Sequence, residues 1–139
     1  MKRSSYFLLL VAVLFLTGCA SQTPEERAAK YVAKGDAKME QAMGELKTAD
    51  DEYLAFDTKD AIKAFNKALD HIDDAVVYYA KAYTTPDQKA AVSALEDGLN
   101  ELEKCVKSMQ DNDSAKALEH YQSAQSYFDI AQEVLWSTS

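Results

Sequence analysis

Residues 61–83, AIKAFNKALDHIDDAVVYYAKAY, decide the fold class of this chain. Apolar side chains recur along this stretch at alternating intervals of three and four residues, at Ile62, Phe65, Leu69, Ile72, Val76, Tyr79 and Tyr83. This heptad spacing places all seven side chains on one face of an α-helix. The stretch therefore predicts one long amphipathic helix.

The same periodicity predicts three more helices after Pro24, and no strand-like alternation of useful length appears. Helix one begins with a capping signal, in which Thr23 is followed by proline and by Glu26 three residues after the cap. Gly35 is a weak point within it. The expected core positions are Ala29, Val32, Met39, Met43, Leu46 and Tyr53 in helix one, Val92, Leu95, Leu99, Leu102, Val106 and Met109 in helix three, and Leu118, Tyr121, Phe128, Ala131 and Leu135 in helix four.

The predicted helices are separated by short breaks at residues 57–58, 84–86 and 111–114. Short connections make neighbouring helices antiparallel. Small residues run beside the main seams, at Ala42, Ala49, Ala91, Gly98 and Cys105. They widen the apolar faces beyond what a two-stranded coiled coil needs. We therefore expect an all-α fold over residues 24–139, a four-helix antiparallel bundle made of two repeated helical hairpins; a long two-helix fibre is the alternative.

An internal repeat supports the division into hairpins. Residues 67–71 (KALDH) match residues 116–120 (KALEH). The match continues in the same register through Ala75 with Ala124, Tyr78 with Tyr127, Tyr79 with Phe128 and Ala82 with Ala131. Helices two and four therefore look like copies, with His71 and His120 at equivalent positions.

A second alignment of the same helices is shifted by one further heptad. Alanine, an aromatic residue and alanine fall at i, i+4 and i+7 in Ala61, Phe65, Ala68 and again in Ala117, Tyr121, Ala124. This pattern resembles the second helix of tetratricopeptide repeats, and the resemblance implies a repeat-like helical domain. The family's first-helix pattern of Trp, Leu-Gly and terminal Pro is absent, so the resemblance covers helices two and four only.

Residues 1–18 have the features of an export signal. Lys2 and Arg3 form a positive start, and residues 6–16 carry no charge but are too few to span a bilayer. Leu16-Thr17-Gly18-Cys19 follows and resembles the lipobox of bacterial lipoproteins. The resemblance implies cleavage before Cys19 and lipid attachment at Cys19. A membrane anchor or an ordinary signal peptide is the alternative.

This resemblance also implies a location for the mature chain. Ala20 and Ser21 lack the aspartate that commonly retains lipoproteins in the inner membrane, so we expect the outer membrane, facing the periplasm. Residues 19–23 form a lipidated tether. Its length of about 10 to 15 Å keeps the start of the domain close to the membrane.

Charge and cysteine content restrict the partners. Removing residues 1–18 takes away Lys2 and Arg3 and no acidic residue, so the formal net charge changes from −8 to −10. This charge argues against nucleic acid and against anionic lipid surfaces. Acylation of Cys19 leaves Cys105 as the one thiol, and we expect Cys105 to be buried because it lies in an apolar stripe.

No motif for catalysis is present, so we expect a protein that is not an enzyme and needs no cofactor.

A metal or haem site would require His71 and His120 to converge. Neither has glutamate three residues before it, and no Cys-x-x-Cys-His motif exists. Residues 111–113 are interpreted as a helix cap rather than a calcium loop, because position six would be Lys116.

The tyrosines are more numerous than a core of this size needs, and tyrosine is favoured at recognition surfaces. We expect His71, Tyr78, His120 and Tyr127 to form a partner-binding flank on helices two and four. The alternative is that they are internal helix contacts.

The sequence thus favours a lipid-anchored interaction or scaffold module of the cell envelope. The alternatives are a carrier of a small ligand, metal or haem that uses the bundle interior, and an immunity or inhibitor lipoprotein.

Overall fold

The computed structural model describes residues 22–136, which form four α-helices. They are α1 (Pro24–Leu54), α2 (Thr58–Ala82), α3 (Pro86–Gln110) and α4 (Ser114–Leu135). No strand lies within this range, so the prediction of an all-α fold is confirmed. None of these helices has an apolar stretch long enough to cross a membrane. The export signal, the lipobox and Cys19 lie outside the described residues.

A polar cap explains where each helix begins. Thr23 and Thr85 each accept a hydrogen bond from the backbone N–H three residues later, in capping boxes followed by proline. Asp57 and Asp113 accept in the same way before α2 and α4. These bonds satisfy backbone groups that the first turn of a helix leaves unpaired. The predicted breaks are confirmed, as is the role of residues 111–113 as a cap.

The helices pack in the order of the chain: α1 against α2, α2 against α3, and α3 against α4. Short connections at residues 55–57, 83–85 and 111–113 make each neighbour antiparallel. The largest fully buried side chains are Tyr79, Ile72, Leu95 and Leu102. The stripes of small residues are buried too, including Cys105. The four-helix bundle built from two hairpins is confirmed.

Two glycines let aromatic rings approach the helix backbone. An added Cβ at Gly35 would lie 2.6 Å from Cε1 of Tyr79, and one at Gly98 would lie 2.5 Å from Cε1 of Phe128. Both distances are far below van der Waals contact, so each hairpin depends on the missing side chain. Gly35 lies within a continuous helix. It is a packing position and not a break.

Some residues expected in the core are exposed. Leu118 is 57% exposed, and Met43, Tyr53 and Ala29 are also open to solvent. The heptad pattern gave their angular position on the helix correctly, but no neighbouring helix covers that face. The expectation that these four residues belong to the core is therefore wrong.

The two alignments of the repeat can be compared with the helix starts. Asp57 and Asp113, which cap α2 and α4, correspond to each other in the second alignment. His71 lies two heptads after its cap, whereas His120 lies one heptad after its cap. The histidines therefore share a heptad position but differ in height along their helices by about 10 Å. The second alignment is the one that matches the helix starts.

A candidate protein-interaction groove

The first and last helices of the bundle do not close against each other. Within residues 22–136, no Cα atom of α1 lies within 8 Å of a Cα atom of α4. Side chains span the gap instead, and a groove runs between the two helices. Its walls are the sides of α1 and α4 that have no helix opposite them, and they carry both apolar and polar side chains.

The groove has two compartments. The Trp136 compartment has a volume of about 740 Å³ and is lined by Asp36, Met39, Glu40, Met43, Leu46, Lys47, Asp50, Tyr121, Gln125, Phe128, Asp129, Gln132 and Trp136. The turn-end compartment has a volume of about 550 Å³ and is lined by Asp50, Tyr53, Leu54, Phe65, Cys105, Met109, Ser114, Ala115, Ala117, Leu118 and Tyr121. Asp50 and Tyr121 belong to both, so the compartments are continuous.

A polar cluster closes the far end of the Trp136 compartment. The Tyr79 hydroxyl donates to Asp36 Oδ1 at 2.6 Å, and the Trp136 indole N–H lies 3.1 Å from the same oxygen. The Trp136 ring also meets the Tyr79 ring edge-on, with centroids 6.3 Å apart. Burial and the neighbouring Asp36 carboxylate raise the pKa of Tyr79. Tyr79 therefore stays a neutral donor, and Asp36 in the first half of α1 is joined both to Tyr79 of α2 and to Trp136 at the end of α4.

A second hydrogen bond crosses the middle of the groove. The Tyr121 hydroxyl on α4 donates to Asp50 Oδ2 on α1 at 3.0 Å. The Tyr121 ring packs edge-on against Phe65 of α2, with centroids 5.8 Å apart. Burial and the Asp50 carboxylate raise the pKa of Tyr121. This bridge lies where the two compartments meet, since both residues line each of them.

The turn-end compartment opens beside the two hairpin turns and is bordered by exposed apolar side chains. Leu54 is 75% exposed on one side, and Leu118 lies opposite on α4. Next to Leu54, Phe56 is 94% exposed. Its φ of 62° is a left-handed conformation that bulky residues rarely adopt. Exposed apolar surface concentrated around a cavity is typical of a binding site.

Three acidic side chains cluster at the turn between α1 and α2, at the same end of the molecule. Carboxylate oxygens of Glu52, Asp57 and Asp60 all lie within 4.8 Å of one another. The ion pairs among residues 22–136 involve other carboxylates, at Asp74, Glu101 and Asp113. These three acids are therefore not neutralised by a cation of the described bundle.

The residues predicted to bind a partner lie elsewhere, on the seams within each hairpin. Tyr78 stacks on Tyr31 of α1, with ring centroids 6.4 Å apart. His120 Nδ1 lies 2.8 Å from a carboxylate oxygen of Glu101 on α3. All four predicted residues, His71, Tyr78, His120 and Tyr127, are half-buried.

These contacts divide the predicted set between the two hairpins. The contacts of Tyr78 are with α1, whereas those of His120 are with α3, so the structure does not unite the four residues in one surface. Hydrogen bonds from Lys104 and then from His120 lower the pKa of Glu101. The role of these residues in partner binding stays a prediction.

Metal and thiol chemistry have little support in the described residues. The one group of three side chains close enough to share a metal ion there is Glu52, Asp57 and Asp60, and it includes neither histidine. Exposed acidic groups of this kind are common without a metal. Cys105 is buried as expected, and burial raises the pKa of its thiol to about 11. A protonated, covered thiol is a poor nucleophile.

The sequence contains a signal for the groove that the apolar seams alone do not show. Asp36, Met43 and Asp50 follow one another at heptad spacing on α1, beside the apolar seam. Asp36 and Asp50 would belong to an ordinary solvated face of α1 if no hydrogen-bond donor lay opposite them. An aromatic donor on a facing helix gives such acids a partner. Tyr121 on α4 supplies such a donor, and only the packing of the helices shows it.

Comparisons with known proteins found no relative of this chain. No family model matches the sequence, no curated protein matches it, and no solved structure matches its fold. The function is therefore inferred from the chemistry of the groove and from the sequence.

Proposed function

We propose that this chain is a lipid-anchored, non-enzymatic protein of the bacterial cell envelope that binds a partner protein in the groove between α1 and α4. The observation that carries the proposal is the open edge of the bundle, where apolar side chains on two helices line a continuous groove. A helix or an extended peptide seated in such a groove would bury them, as in helix-in-groove recognition.

The anchor and the groove fit together geometrically. If Cys19 carries lipid, the start of α1 lies near the membrane, and α1 has 31 residues. At 1.5 Å per residue the helix is about 46 Å long. The turn-end compartment lies beside the end of α1, so it would face away from the membrane. A partner anchored elsewhere in the envelope could then reach it.

A second function is favoured by the turn-end compartment itself. Its volume of about 550 Å³ and its mostly apolar lining suit a small apolar ligand. A carrier of such a ligand is therefore the alternative to a protein-binding module. Solvent extraction of the purified full chain, followed by mass spectrometry, distinguishes the two, because a carrier would release one apolar compound in stoichiometric amount.

Site-specific photocrosslinking in living cells tests the location of the partner. A benzophenone amino acid at Leu118 should crosslink to a discrete protein. The matched control is Ile130, which is 54% exposed on the same helix but does not line the groove. A third probe at Tyr127 reports on the hairpin seam. Equal products from Leu118 and Ile130, or a product from Tyr127 alone, would contradict the proposal.

A further inference from the structure

We infer that one flank of the α1–α2 hairpin, at the end near the proposed anchor, docks on the anionic phospholipid headgroups of the membrane that carries the chain. The docking surface is a basic-aromatic patch made of Arg27, Lys30, Tyr31, Lys34, Tyr78 and Lys81. The inference rests on the anchor of the proposed function and is independent of the groove.

Two stacked tyrosines form the centre of the patch. The rings of Tyr31 on α1 and Tyr78 on α2 have centroids 6.4 Å apart, and their planes differ by 24°. Both side chains are half-buried, so each keeps part of its surface open to solvent. Tyrosine is enriched where membranes meet water, because its ring is apolar and its hydroxyl is polar.

Two lysines lie over these rings. Lys34 Nζ is 5.5 Å from the ring centroid of Tyr78 and 5.9 Å from that of Tyr31. Lys81 Nζ, on α2, is 5.4 Å from the ring centroid of Tyr31. These are cation–π distances, and they hold both ammonium groups close together on one side of the hairpin.

Two more cations extend the patch toward the start of α1. Arg27 lies one turn before Tyr31, and Lys30 lies one turn before Lys34, so both are on the same side of the helix. All four cations of the patch are exposed, and among residues 22–136 none of them forms an ion pair. Their charges are therefore available to phosphate groups outside the protein.

The neighbouring carboxylates do not cancel this charge. Glu25 lies about 120° around the axis of α1 from the tyrosine of the same helix. Glu26 accepts a backbone hydrogen bond in the capping box. Asp74 pairs with Lys38 at 3.2 Å, and this pair marks the border of the patch toward the hairpin turn. The patch is thus locally positive in a chain of formal net charge −8.

The position of the patch makes its local charge more important than the net charge. The patch begins in the first turn of α1 and extends to within about 16 Å of Thr23, which the proposed tether of about 10 to 15 Å joins to the membrane. The net charge of the whole chain opposes contact with an anionic surface. Salt, however, screens charges beyond about 8 Å at physiological ionic strength, so acids at the far end of the bundle have little effect here.

A second group of lysines lacks these features. Lys59, Lys63 and Lys67 are exposed near the other end of α2, but Asp60 and Asp70 line the same surface. No aromatic ring lines that surface, and it lies toward the hairpin turn rather than the proposed anchor. These three lysines therefore provide a matched control for the patch.

An acidic protein is the other occupant that a basic surface would attract. The membrane is favoured, because the proposed tether already holds the patch near it, and a tethered surface has a high effective concentration. The lipid would then fix the position of the chain, while the patch would tilt the bundle toward its α1–α2 flank.

Photocrosslinking in vesicles tests the inference. The full chain is purified from cells in detergent, which retains any lipid on Cys19, and is reconstituted into phosphatidylcholine vesicles with or without phosphatidylglycerol. A benzophenone amino acid is placed at Val77, which is 48% exposed and lies one turn before Lys81. Ile130 on α4, which is 54% exposed, is the matched control.

We expect Val77 to give a product whose mass is increased by one phospholipid. Its yield should be several-fold higher in vesicles that contain phosphatidylglycerol and should fall as salt is added, because the attraction is electrostatic. The yield from Ile130 should not depend on phosphatidylglycerol, because Ile130 lies away from the patch.

A variant without the lysines of the patch should lose this response. Each basic residue beside an anionic surface changes the docking equilibrium by about fivefold. The Val77 product should therefore fall to its yield in pure phosphatidylcholine in the triple variant Lys30→Gln, Lys34→Gln, Lys81→Gln.

A charge control separates local docking from the general attraction of a less acidic protein. The triple variant Lys59→Gln, Lys63→Gln, Lys67→Gln removes the same charge from exposed positions. It should leave the yield from Val77 nearly unchanged. Circular dichroism verifies that every variant is folded.

The inference is overturned if Val77 and Ile130 give equal yields, if phosphatidylglycerol does not raise the yield from Val77, or if the two triple variants behave alike. It is also overturned if Val77 crosslinks in living cells to a discrete protein and not to phospholipid.

The intact mass of the same samples reports separately on the proposed anchor. An acylated chain that gives no Val77 product would keep the anchor and refute the docking. A chain without lipid that still gives the product would refute the anchor and keep the docking. Absence of both would refute both.

Discussion

At the scale of single residues, Phe56 is the position where local stability and surface chemistry conflict. It adopts a left-handed backbone at φ 62°, and its side chain is exposed. The equivalent position of the other hairpin turn has Asn112 at φ 58°. Asparagine forms local hydrogen bonds that support this conformation. The two turns thus share a geometry but not a residue suited to it.

Replacement of Phe56 by asparagine should therefore stabilise the protein. We expect Phe56→Asn to raise the free energy of unfolding by about 1 kcal/mol, because it relieves left-handed strain without loss of core packing. Asn112→Phe should lower the free energy of unfolding by a similar amount. Chemical denaturation of the three chains measures both changes. A loss of stability in Phe56→Asn would show that the ring packs on the bundle after all.

Weakly acidic side chains that are buried, among them Cys105, Tyr79 and Tyr121, make the fold sensitive to alkali. Burial raises the pKa of Cys105 from 9.0 to about 11, and burial together with Asp36 or Asp50 raises the pKa values of Tyr79 and Tyr121. Their neutral forms are favoured in the native state. These groups contribute their full stabilisation at pH values below their pKa values in the unfolded state. The contribution is lost as pH rises through their pKa values in the native state.

We expect the melting temperature to be steady up to about pH 8 and to fall as pH rises from about 9 to 11. Calorimetry across this range measures the decline. Tyr121→Phe should lower stability at neutral pH, because Asp50 loses its donor, but should make the alkaline decline shallower. An unchanged melting temperature at pH 11 would contradict the burial of these groups.

At the scale of the helix pair, each hairpin is joined by a ring against a glycine. Tyr79 of α2 lies over Gly35 of α1, and Phe128 of α4 lies over Gly98 of α3. Gly35 and Tyr79 are each 22 residues from the capping Asp57, whereas Gly98 and Phe128 are each 15 residues from the capping Asp113. The two hairpins therefore make the same kind of contact at different distances from their turns. Gly44 on α1 offers a control, since a Cβ there would meet nothing within 4 Å.

An alanine series separates helix propensity from packing. Gly44→Ala should stabilise the protein by up to about 1 kcal/mol, because alanine favours the helix. Gly35→Ala and Gly98→Ala gain the same preference but force a ring to move, and overpacking costs about 1 to 3 kcal/mol. We expect both to be less stable than the parent, in thermal denaturation. If all three variants were stabilised equally, the close ring contacts would be disproved.

The elements also show how far periodicity predicts burial. On α3 the predicted seam is buried as a whole, because α3 packs against both α2 and α4. On α4 the seam residue Leu118 is exposed, since α4 has only α3 as a close neighbour among the described helices. A heptad gives the direction of a side chain, and the presence of a neighbour decides whether it is covered.

At the scale of the whole molecule, the proposed anchor and the turn-end compartment of the groove lie at opposite ends of α1. Thr23 starts the helix a few residues after Cys19, and Leu54 ends it at the turn-end compartment. The lipid would therefore hold the molecule with its hairpin turns directed away from the membrane. Without the lipid, the bundle itself should be unaffected, because Cys19 precedes the first capped turn.

Substitution of the lipobox cysteine tests this arrangement. We expect Cys19→Ser to abolish labelling by a fatty-acid probe and to block cleavage before residue 19, while the helical signal of the protein is retained. Metabolic labelling and the apparent mass on a gel measure the two effects. Continued labelling of Cys19→Ser would refute lipid attachment at this position, and an ordinary export signal would then be the better interpretation.

The sequence by itself determined the helices, their ends and their pairing. These features depend on local interactions. Capping residues such as Thr23 and Asp57 accept hydrogen bonds from backbone N–H groups of the first helical turn. Connections of three residues make consecutive helices antiparallel neighbours. Burial of Cys105 followed from its position in a stripe of small residues. Such signals are contained within one or two turns of chain.

Only the tertiary structure decided that α1 and α4 stay apart and are bridged by Tyr121 and Asp50, which are 71 residues apart in the chain. The choice between a closed and an open edge depends on how two hairpins pack on each other, and no local pattern encodes that angle. Met43 and Leu118 continue the apolar periodicity of their helices, yet they line the groove and are exposed. No helix lies opposite them, which is a property of the assembled bundle.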